Sequence, residues 1–297
     1  MKNFIKEKIK NFLSINKILE NQNEIKKILG KIGLNNLRDK NLHKINDYEF
    51  KVFSQFGEDG IINFLINNLD IKSKKFIEFG VENYEEANSR FLLENNSWEG
   101  LIIDSSKDNI NFITKQNYYW KYNLTAKCEF ITKENINDII YKNNFSGKIG
   151  LLSIDLDGND YWIWECINTV DPDIVLIEFN ARLGIDRSIT VPYSPSFDRK
   201  INHFSNIIYG ASLLALNNLA KKKNYSLICT NRNANNAFFI KKELLENAKS
   251  ELIKSRNPSE CNYIPSFNET LDENGNLTKL TEIEIKKIIE KFNFESV

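Results

Sequence analysis

The chain has 297 residues, 41% of them hydrophobic and 12% aromatic, which suits a packed globular core rather than a disordered chain. Its 40 lysines and arginines balance its 40 aspartates and glutamates, which excludes an overall field that would attract nucleic acid or an anionic membrane. The four scattered cysteines argue against a disulfide framework or a structural zinc site and favour a cytoplasmic location.

The first 45 residues predict a helical extension with a break near Gly30–Gly33. Charges throughout this segment exclude a signal peptide, and no window of the chain approaches the length of a transmembrane helix. We favour packing of its apolar stripe against the main domain or a sister subunit, as in a homo-oligomer, over docking on a membrane surface or a partner enzyme. The stripe consists of Phe4, Ile5, Ile9, Phe12, Leu13, Ile15 and Leu19.

Apolar, strand-like runs alternate with helical segments between residues 46 and 245, which predicts one doubly wound α/β domain with a seven-stranded Rossmann-like sheet. The last two runs are separated only by NRNANN, so they form a terminal antiparallel hairpin. Residues 246–297 form a helical and irregular tail with no assigned role. The runs are KFIEFG, GLIIDS, KCEFIT, GLLSIDLDG, DIVLIEFN, YSLICT and AFFIKK, and the predicted helices include Glu85–Glu94, Asn135–Lys142, Asp160–Ile167 and Ser205–Lys222.

Two carboxylates stand at the ends of the first two strands. Glu78 ends the first strand, with Gly80 two residues later, and Asp104 ends the second. Ligands of open α/β sheets bind beyond the carboxyl ends of the strands. A glycine there permits close approach of a ligand, and an aspartate can accept both hydroxyls of a ribose. This placement predicts a nucleotide-type cofactor.

The first loop differs from a dinucleotide motif. EFGVENYEEANS lacks the G-x-G-x-x-G spacing, and it carries Glu82, Glu85 and Glu86 where a pyrophosphate would lie. These carboxylates would repel a pyrophosphate and attract a sulfonium and an ammonium group. The loop therefore favours S-adenosylmethionine over NAD.

The stretch FIEFGVEN…NSRFLLENNSWEGLIIDSS resembles the first two cofactor motifs of class I S-adenosylmethionine-dependent methyltransferases. SQFGEDGII and SIDLDGNDYWIWE resemble the FkbM-type branch and a related bacterial group found with surface-glycan genes, and the resemblance covers about residues 50–245. It implies that Glu78 and Gly80 line the methionine end of the cofactor. It further implies a ribose site at Asp104, an adenine site at Ser105, and contacts of Gln55 and Asn88 with the amino-acid part.

Acidic residues also end the fourth and fifth strands, at Asp155, Asp157, Asp160 and Glu178, with Asn180 just beyond. Such a cluster either holds a hard divalent ion, such as Mg²⁺ or Mn²⁺, or hydrogen-bonds a polar substrate without metal. Asp155, Glu178 and Asn180 resemble the Asp, Asp and Asn that hold magnesium in catechol O-methyltransferase, with Glu178 replacing an aspartate.

The catalytic base is expected among Asp155, Asp157 and His203. Histidine suits acceptance of a hydroxyl proton near neutral pH, although a lone histidine is more often a surface or capping residue. The other two candidates, Asp155 and Asp157, belong to the acidic cluster after the fourth strand.

The resemblance implies methylation of a hydroxyl of a sugar, or of a substituent on one, destined for a bacterial capsule or lipopolysaccharide. The expected partner is a sugar or sugar-nucleotide acceptor. Alternatives are a phosphoramidate or amine nitrogen, a lipid or another small molecule, and, from another class, a non-catalytic Rossmann-like scaffold. A nucleic-acid methyltransferase is disfavoured by the neutral charge and by the absence of an N/D-P-P-Y motif.

Overall fold

The fold is known from a computed structural model that describes residues 6–9, 14–38, 40, 42–265 and 270–297. The main strands are β1 (Lys75–Phe79), β2 (Glu99–Asp104), β3 (Leu124–Cys128), β4 (Gly147–Ile154), β5 (Val170–Glu178), β7 (Tyr225–Thr230) and β8 (Asn236–Lys241). They form one sheet in the order β3-β2-β1-β4-β5-β8-β7. β8 is antiparallel to β5 and β7, and the other pairs are parallel. This confirms the predicted doubly wound sheet with its terminal hairpin.

Helices cover both faces of the sheet, because its central strands carry apolar side chains on both sides. Ile77 and Phe79 of β1 belong to a buried cluster on one face, whereas Phe76 belongs to a cluster on the other. The helices are α1 (Ile15–Arg38), α2 (Glu58–Asn68), α3 (Arg90–Asn96), α4 (Lys107–Ile113), α5 (Asn117–Lys121), α6 (Ile136–Lys142), α7 (Asp160–Cys166), α8 (Arg199–Asn202), α9 (Leu213–Lys222), α10 (Lys242–Leu245) and α11 (Glu282–Lys291).

Three predicted boundaries are wrong. α3 begins at Arg90 rather than residue 85, since the carboxylate of Glu78 holds the backbone of residues 88 and 89. α9 begins at Leu213 rather than residue 205, and the side chain of Ser212 caps it. The third strand ends at Cys128, so residues 129–132 form a loop.

The C-terminal segment packs back onto the domain. α11 buries Ile289 in a cluster with Val191 and Ile207. The short strand β11 (Glu295–Ser296) pairs with β6 (Ile189–Thr190), while β9 (Thr270–Leu271) and β10 (Leu277–Thr278) form a separate hairpin. The division into residues 1–45, 46–245 and 246–297 stays a prediction.

The N-terminal helix α1 runs through both glycines without the predicted break. A side chain at Gly30 would lie 2.6 Å from Cγ2 of Val52 and 3.1 Å from the ring of Phe91, so this glycine permits close packing on the domain. Four positions of the predicted stripe (Phe4, Ile5, Phe12 and Leu13) lie outside the described residues. Among the described helices, none is both long and apolar enough to cross a membrane.

Candidate functional site

A cavity of about 350 Å³ lies beyond the carboxyl ends of β1, β2, β4 and β5. This is the edge where open α/β sheets bind ligands, and the volume suits a small-molecule site. The structure places nine of the eleven sequence-predicted site residues in its lining and leaves two, Asn180 and His203, outside it. The nine are Gln55, Glu78, Gly80, Asn88, Asp104, Ser105, Asp155, Asp157 and Glu178.

Glu78 holds the loop that follows β1. Its Oε1 accepts a hydrogen bond from the backbone N–H of Asn88 (2.8 Å), and its Oε2 accepts from the N–H and hydroxyl of Ser89. Burial raises the pKa of Glu78, and these donors oppose the rise. Glu78 thus caps the start of α3 and also lines the cavity. Any contact of its carboxylate with a ligand would add to this structural role.

Gly80 brings β1 and β4 together at the cavity floor. Its φ is +69°, and a Cβ at this position would lie 1.7 Å from the backbone oxygen of Asp155. Only a residue without a side chain fits both the left-handed backbone and this contact. The glycine therefore sets the distance between the loop after β1 and the acidic loop after β4.

Asp104 ties together the loops after β1 and β2. Its Oδ2 accepts from the backbone N–H of Glu82 (2.8 Å), and its Oδ1 accepts from the N–H of Ser106 (2.8 Å) and the side chain of Asn109 (3.1 Å). A carboxylate has about four acceptor positions, so Oδ2 retains a lone pair for a ligand. Ser106, not Asp104, is the N-cap of α4.

The carboxylate of Asp59 holds the backbone of the loop that carries Gln55. The Oδ2 atom of this buried aspartate accepts from the backbone N–H groups of Val52, Phe53 and Ser54 at 2.7–2.8 Å. With the hydroxyl of Ser54 (2.9 Å), four donors on one carboxylate oxygen hold the loop against α2. Gln55 itself is exposed and borders the cavity.

Glu58 connects this loop to the terminal hairpin. Its Oε2 accepts from the N–H groups of Phe56 and Gly57 (both 3.0 Å), and its Oε1 accepts from the side chains of Asn231 (2.7 Å) and Asn236 (3.0 Å). Asn236 also lines the cavity. The hairpin therefore completes the wall beside Gln55.

The loop after β4 concentrates negative charge. Asp160 is fully buried and accepts from the N–H groups of Leu156 (2.7 Å) and Gly158 (2.9 Å), so it shapes the loop. Asp157 adopts φ +53° and is exposed, and its Oδ1 binds Arg199 at 2.7 Å. Burial, and then the neighbouring charges of Asp157 and Asp160, raise the pKa of Asp155 well above its usual range.

Glu178 ends β5 with an unsatisfied carboxylate. It is 7% exposed, and its Oε2 has no hydrogen-bond partner among the described residues. Burial and the nearby Asp155 raise the pKa of Glu178 well above its usual range. A buried acceptor without a donor is costly, so a ligand group or ion at this point would stabilise the site.

Three carboxylates have the spacing of a metal site. Ligand oxygens of Asp155, Asp157 and Glu178 all lie within 4.8 Å of one another. The predicted third ligand, Asn180, is fully buried, and its amide donates to the carbonyls of Ile207 (2.8 Å) and Tyr209 (3.0 Å). The described cluster thus contains Asp157 where the resemblance implied Asn180.

His203 lies at the end of α8, outside the cavity lining. Its Nδ1 accepts from the backbone N–H of Ser205 (3.2 Å) and lies 2.7 Å from that residue's hydroxyl. Burial lowers the pKa of His203. The structure does not bring this histidine to the acidic cluster, and its predicted role as a base stays a prediction.

Arg199 is the main feature of the site that the sequence reasoning missed. Its guanidinium stacks 3.7 Å from the ring centroid of Tyr209, donates to the carbonyl of Asn206 and pairs with Asp157. Among the described lining residues it is the single cation, against eight carboxylates. No sequence signal marked it, because residues 191–212 form a long connection that only the tertiary structure brings to the cavity.

No protein-family model matches the sequence, and no curated protein matches it either. Among solved structures, the N-terminal domain of EvdMO1 with SAH bound is 8% identical, with 64% of this chain and 81% of that chain covered at a TM-score of 0.42. An S-adenosylmethionine-dependent methyltransferase from Clostridium acetobutylicum is 13% identical at a TM-score of 0.32. The match covers 43% of this chain and about half (51%) of that chain.

M. capricolum TrmK, in complex with S-adenosyl-homocysteine, is 12% identical, with 60% of this chain and 65% of that chain covered at a TM-score of 0.34. Each of these proteins is one to which this chain is similar. TM-scores of 0.32–0.42 mark a partial likeness.

Replacing Gly80 with alanine tests the contact between β1 and β4. Because the new Cβ would overlap the backbone oxygen of Asp155, we expect the free energy of unfolding to fall by about 3 kcal/mol or more. Gly184→Ala is the matched control, since Gly184 has φ +73° but no atom within 4 Å of a new Cβ. With ψ −169°, Gly184 lies in a region that other residues rarely adopt, so this variant carries backbone strain alone and should cost about 1–3 kcal/mol, less than Gly80→Ala. Urea denaturation of both variants measures the difference, and equal losses would contradict the close contact.

Proposed function

We propose that the protein is an S-adenosylmethionine-dependent methyltransferase. The observation that carries the proposal is the acidity of the cavity, in which eight carboxyl groups face one guanidinium among the described lining residues. S-adenosylmethionine brings a sulfonium and an ammonium group, and such a cavity attracts both. Glu82 and Glu86 line the loop side, where the pyrophosphate of NAD would be repelled.

The strand ends support one orientation of this cofactor. We place the ribose against the free lone pair of Asp104 Oδ2 and the methionine end beside Glu78 and Gly80, with Gln55 and Asn88 nearby. The adenine would lie between Ser105 and the exposed ring of Phe130. The 50% exposure of that ring provides an aromatic surface beside the cavity, and a purine would cover it.

The acidic loops after β4 and β5 supply the reacting end of the cavity. In the proposed step, an acceptor oxygen attacks the sulfonium methyl carbon, and the carbon–sulfur bond breaks with its electron pair remaining on sulfur. The acceptor proton passes to a carboxylate, for which Asp155 is the proposed base. A carboxyl with a raised pKa is the stronger base once ionised, and alignment of the acceptor with the methyl group supplies much of the rate.

A divalent ion fits the same cluster. Glu178 Oε2 is buried without a partner in the described structure, and Asp155, Asp157 and Glu178 offer oxygens at metal-site spacing. These three residues would hold Mg²⁺ or Mn²⁺, and Arg199 would give up its bond to Asp157. When bound, such an ion would lower the pKa of an acceptor hydroxyl. Without it, the same carboxylates hydrogen-bond and deprotonate the acceptor.

The proposed acceptor is a hydroxyl of a sugar or sugar substituent used for a bacterial surface polysaccharide. The motif resemblance of residues 50–245 supports this class, and the four free cysteines fit a cytoplasmic enzyme. The cavity's negative charge also favours a second candidate, an amine acceptor, because an ammonium would be attracted to it. Product mass after reaction with each acceptor class distinguishes the two.

Asp104→Ala tests the proposed cofactor site. Loss of one hydrogen bond from ribose to a charged group, worth about 1.5–3 kcal/mol, should weaken S-adenosylmethionine binding roughly 10- to 150-fold. Asp108→Ala, an exposed carboxylate in the first turn of α4, is the matched control and should leave affinity unchanged. Isothermal titration calorimetry measures both, and circular dichroism checks the fold. An unchanged affinity in Asp104→Ala would overturn the ribose assignment.

Asp155→Asn tests the reacting end. We expect cofactor affinity within about threefold of the parent protein and methyl transfer reduced at least 100-fold, because general-base catalysis contributes about 10²–10⁴-fold. Transfer from labelled S-adenosylmethionine to sugar acceptors measures it, with Asp138→Asn, an exposed carboxylate on α6, as control. The parent protein and Asp155→Asn are both assayed with and without a chelator to separate the metal role from the base role. If transfer by Asp155→Asn persists in both conditions, both roles fail.

A further inference from the structure

The N-terminal helix α1 has two different faces. One packs on the domain through Gly30 and Leu34, and Lys27 Nζ on this side lies 3.1 Å from a carboxylate oxygen of Glu94. The opposite face carries an apolar stripe that points away from the domain. The stripe consists of Ile18, Ile25, Ile28, Leu29 and Ile32, which are 49–61% exposed.

The stripe has the spacing of a helix-pairing seam. Ile18, Ile25 and Ile32 recur every seven residues, and Ile28 lies three residues after Ile25. These are the a and d positions of a heptad, the pattern by which two helices pack side by side. Gly30 and Leu34, which contact the domain, occupy the opposite f and c positions. A second helix can therefore reach the stripe without meeting the domain.

The charges beside the stripe are self-complementary. Glu24 and Lys31 both occupy g positions, one on each side of the central Ile25–Ile28 layer. If a second α1 packs antiparallel, with Ile25 of each copy against Ile28 of the other, Glu24 of each copy faces Lys31 of the other. A two-fold axis produces this pair twice, since every contact of an isologous interface is repeated. A parallel pair would not bring these two residues together.

From this periodicity and charge pattern, we propose that α1 pairs antiparallel with α1 of a second copy of this chain. The inference is independent of the proposed activity. In this arrangement Ile18 of one copy lies against Asn35 of the other, and Ile32 lies against Asn21. The apolar centre of the interface is therefore short, and we expect a dissociation constant in the micromolar range. α1 carries five basic residues against two glutamates, a balance that also suits a membrane surface, so the choice of a second copy as occupant rests on the complementarity of Glu24 and Lys31.

Charge reversal of the full-length protein tests the pairing. Glu24→Lys and Lys31→Glu each create two like-charge contacts, so each variant alone should dimerise about tenfold more weakly. An equimolar mixture of the two variants restores both opposite-charge contacts and should form a heterodimer of near-parent affinity. Lys26→Glu is the matched control, because Lys26 occupies a b position, outside the a, d, e and g positions that form and flank the interface. Sedimentation velocity over a range of micromolar concentrations measures each constant, and circular dichroism confirms that α1 remains helical.

A parent protein that stays monomeric throughout that range would overturn the proposal. So would single reversals that dimerise as the parent does, or a mixture that associates no better than its components. Flotation with vesicles of phosphatidylcholine and phosphatidylglycerol tests whether the apolar stripe of α1 binds a membrane surface instead. Vesicle binding that competes with dimerisation and is lost in Ile25→Lys would assign the stripe to a membrane and also overturn the proposal, whereas absence of flotation supports it.

Discussion

Repulsion among buried carboxylates at the strand ends is the constraint on which the site depends. Some of these groups receive donors from the protein: the carboxylate of Glu78 is met by residues 88 and 89, and that of Asp160 by the N–H groups of Leu156 and Gly158. Glu178 Oε2 has no such donor among the described residues. The carboxylates that receive hydrogen bonds shape the loops. Glu178, whose Oε2 receives none from the described residues, can instead attract a cationic ligand.

Backbone geometry keeps these charges together despite their repulsion. Gly80 allows the loop after β1 to touch the backbone of Asp155, and the left-handed φ of Asp157 turns its side chain toward Arg199. That arginine lies on the ring of Tyr209, which fixes the only cation among the described lining residues. The cavity is therefore largely pre-formed, as an electrostatic site requires if it is to bind without reorganisation.

The sheet was predictable from the sequence because near-continuous apolar runs mark strands buried on both faces. The same rule located Glu78, Asp104 and Glu178 at strand ends, and all three line the cavity. It did not locate Arg199, whose position depends on a long connection, or the amide of Asn180, which donates to carbonyls rather than facing the cavity. Side-chain direction beyond a strand end depends on tertiary hydrogen bonds, which periodicity does not encode.

Calorimetric titration of the unmodified protein with S-adenosylmethionine and, separately, NAD tests the central claim most directly. Performed near neutral pH in two buffers of different ionisation heat, it also counts protons. A bound cation favours the ionised carboxylates and lowers the raised pKa values of Asp155 and Glu178, so binding should release protons. We predict micromolar binding of S-adenosylmethionine with proton release and no binding of NAD. Binding of NAD alone, or of neither, would contradict the account.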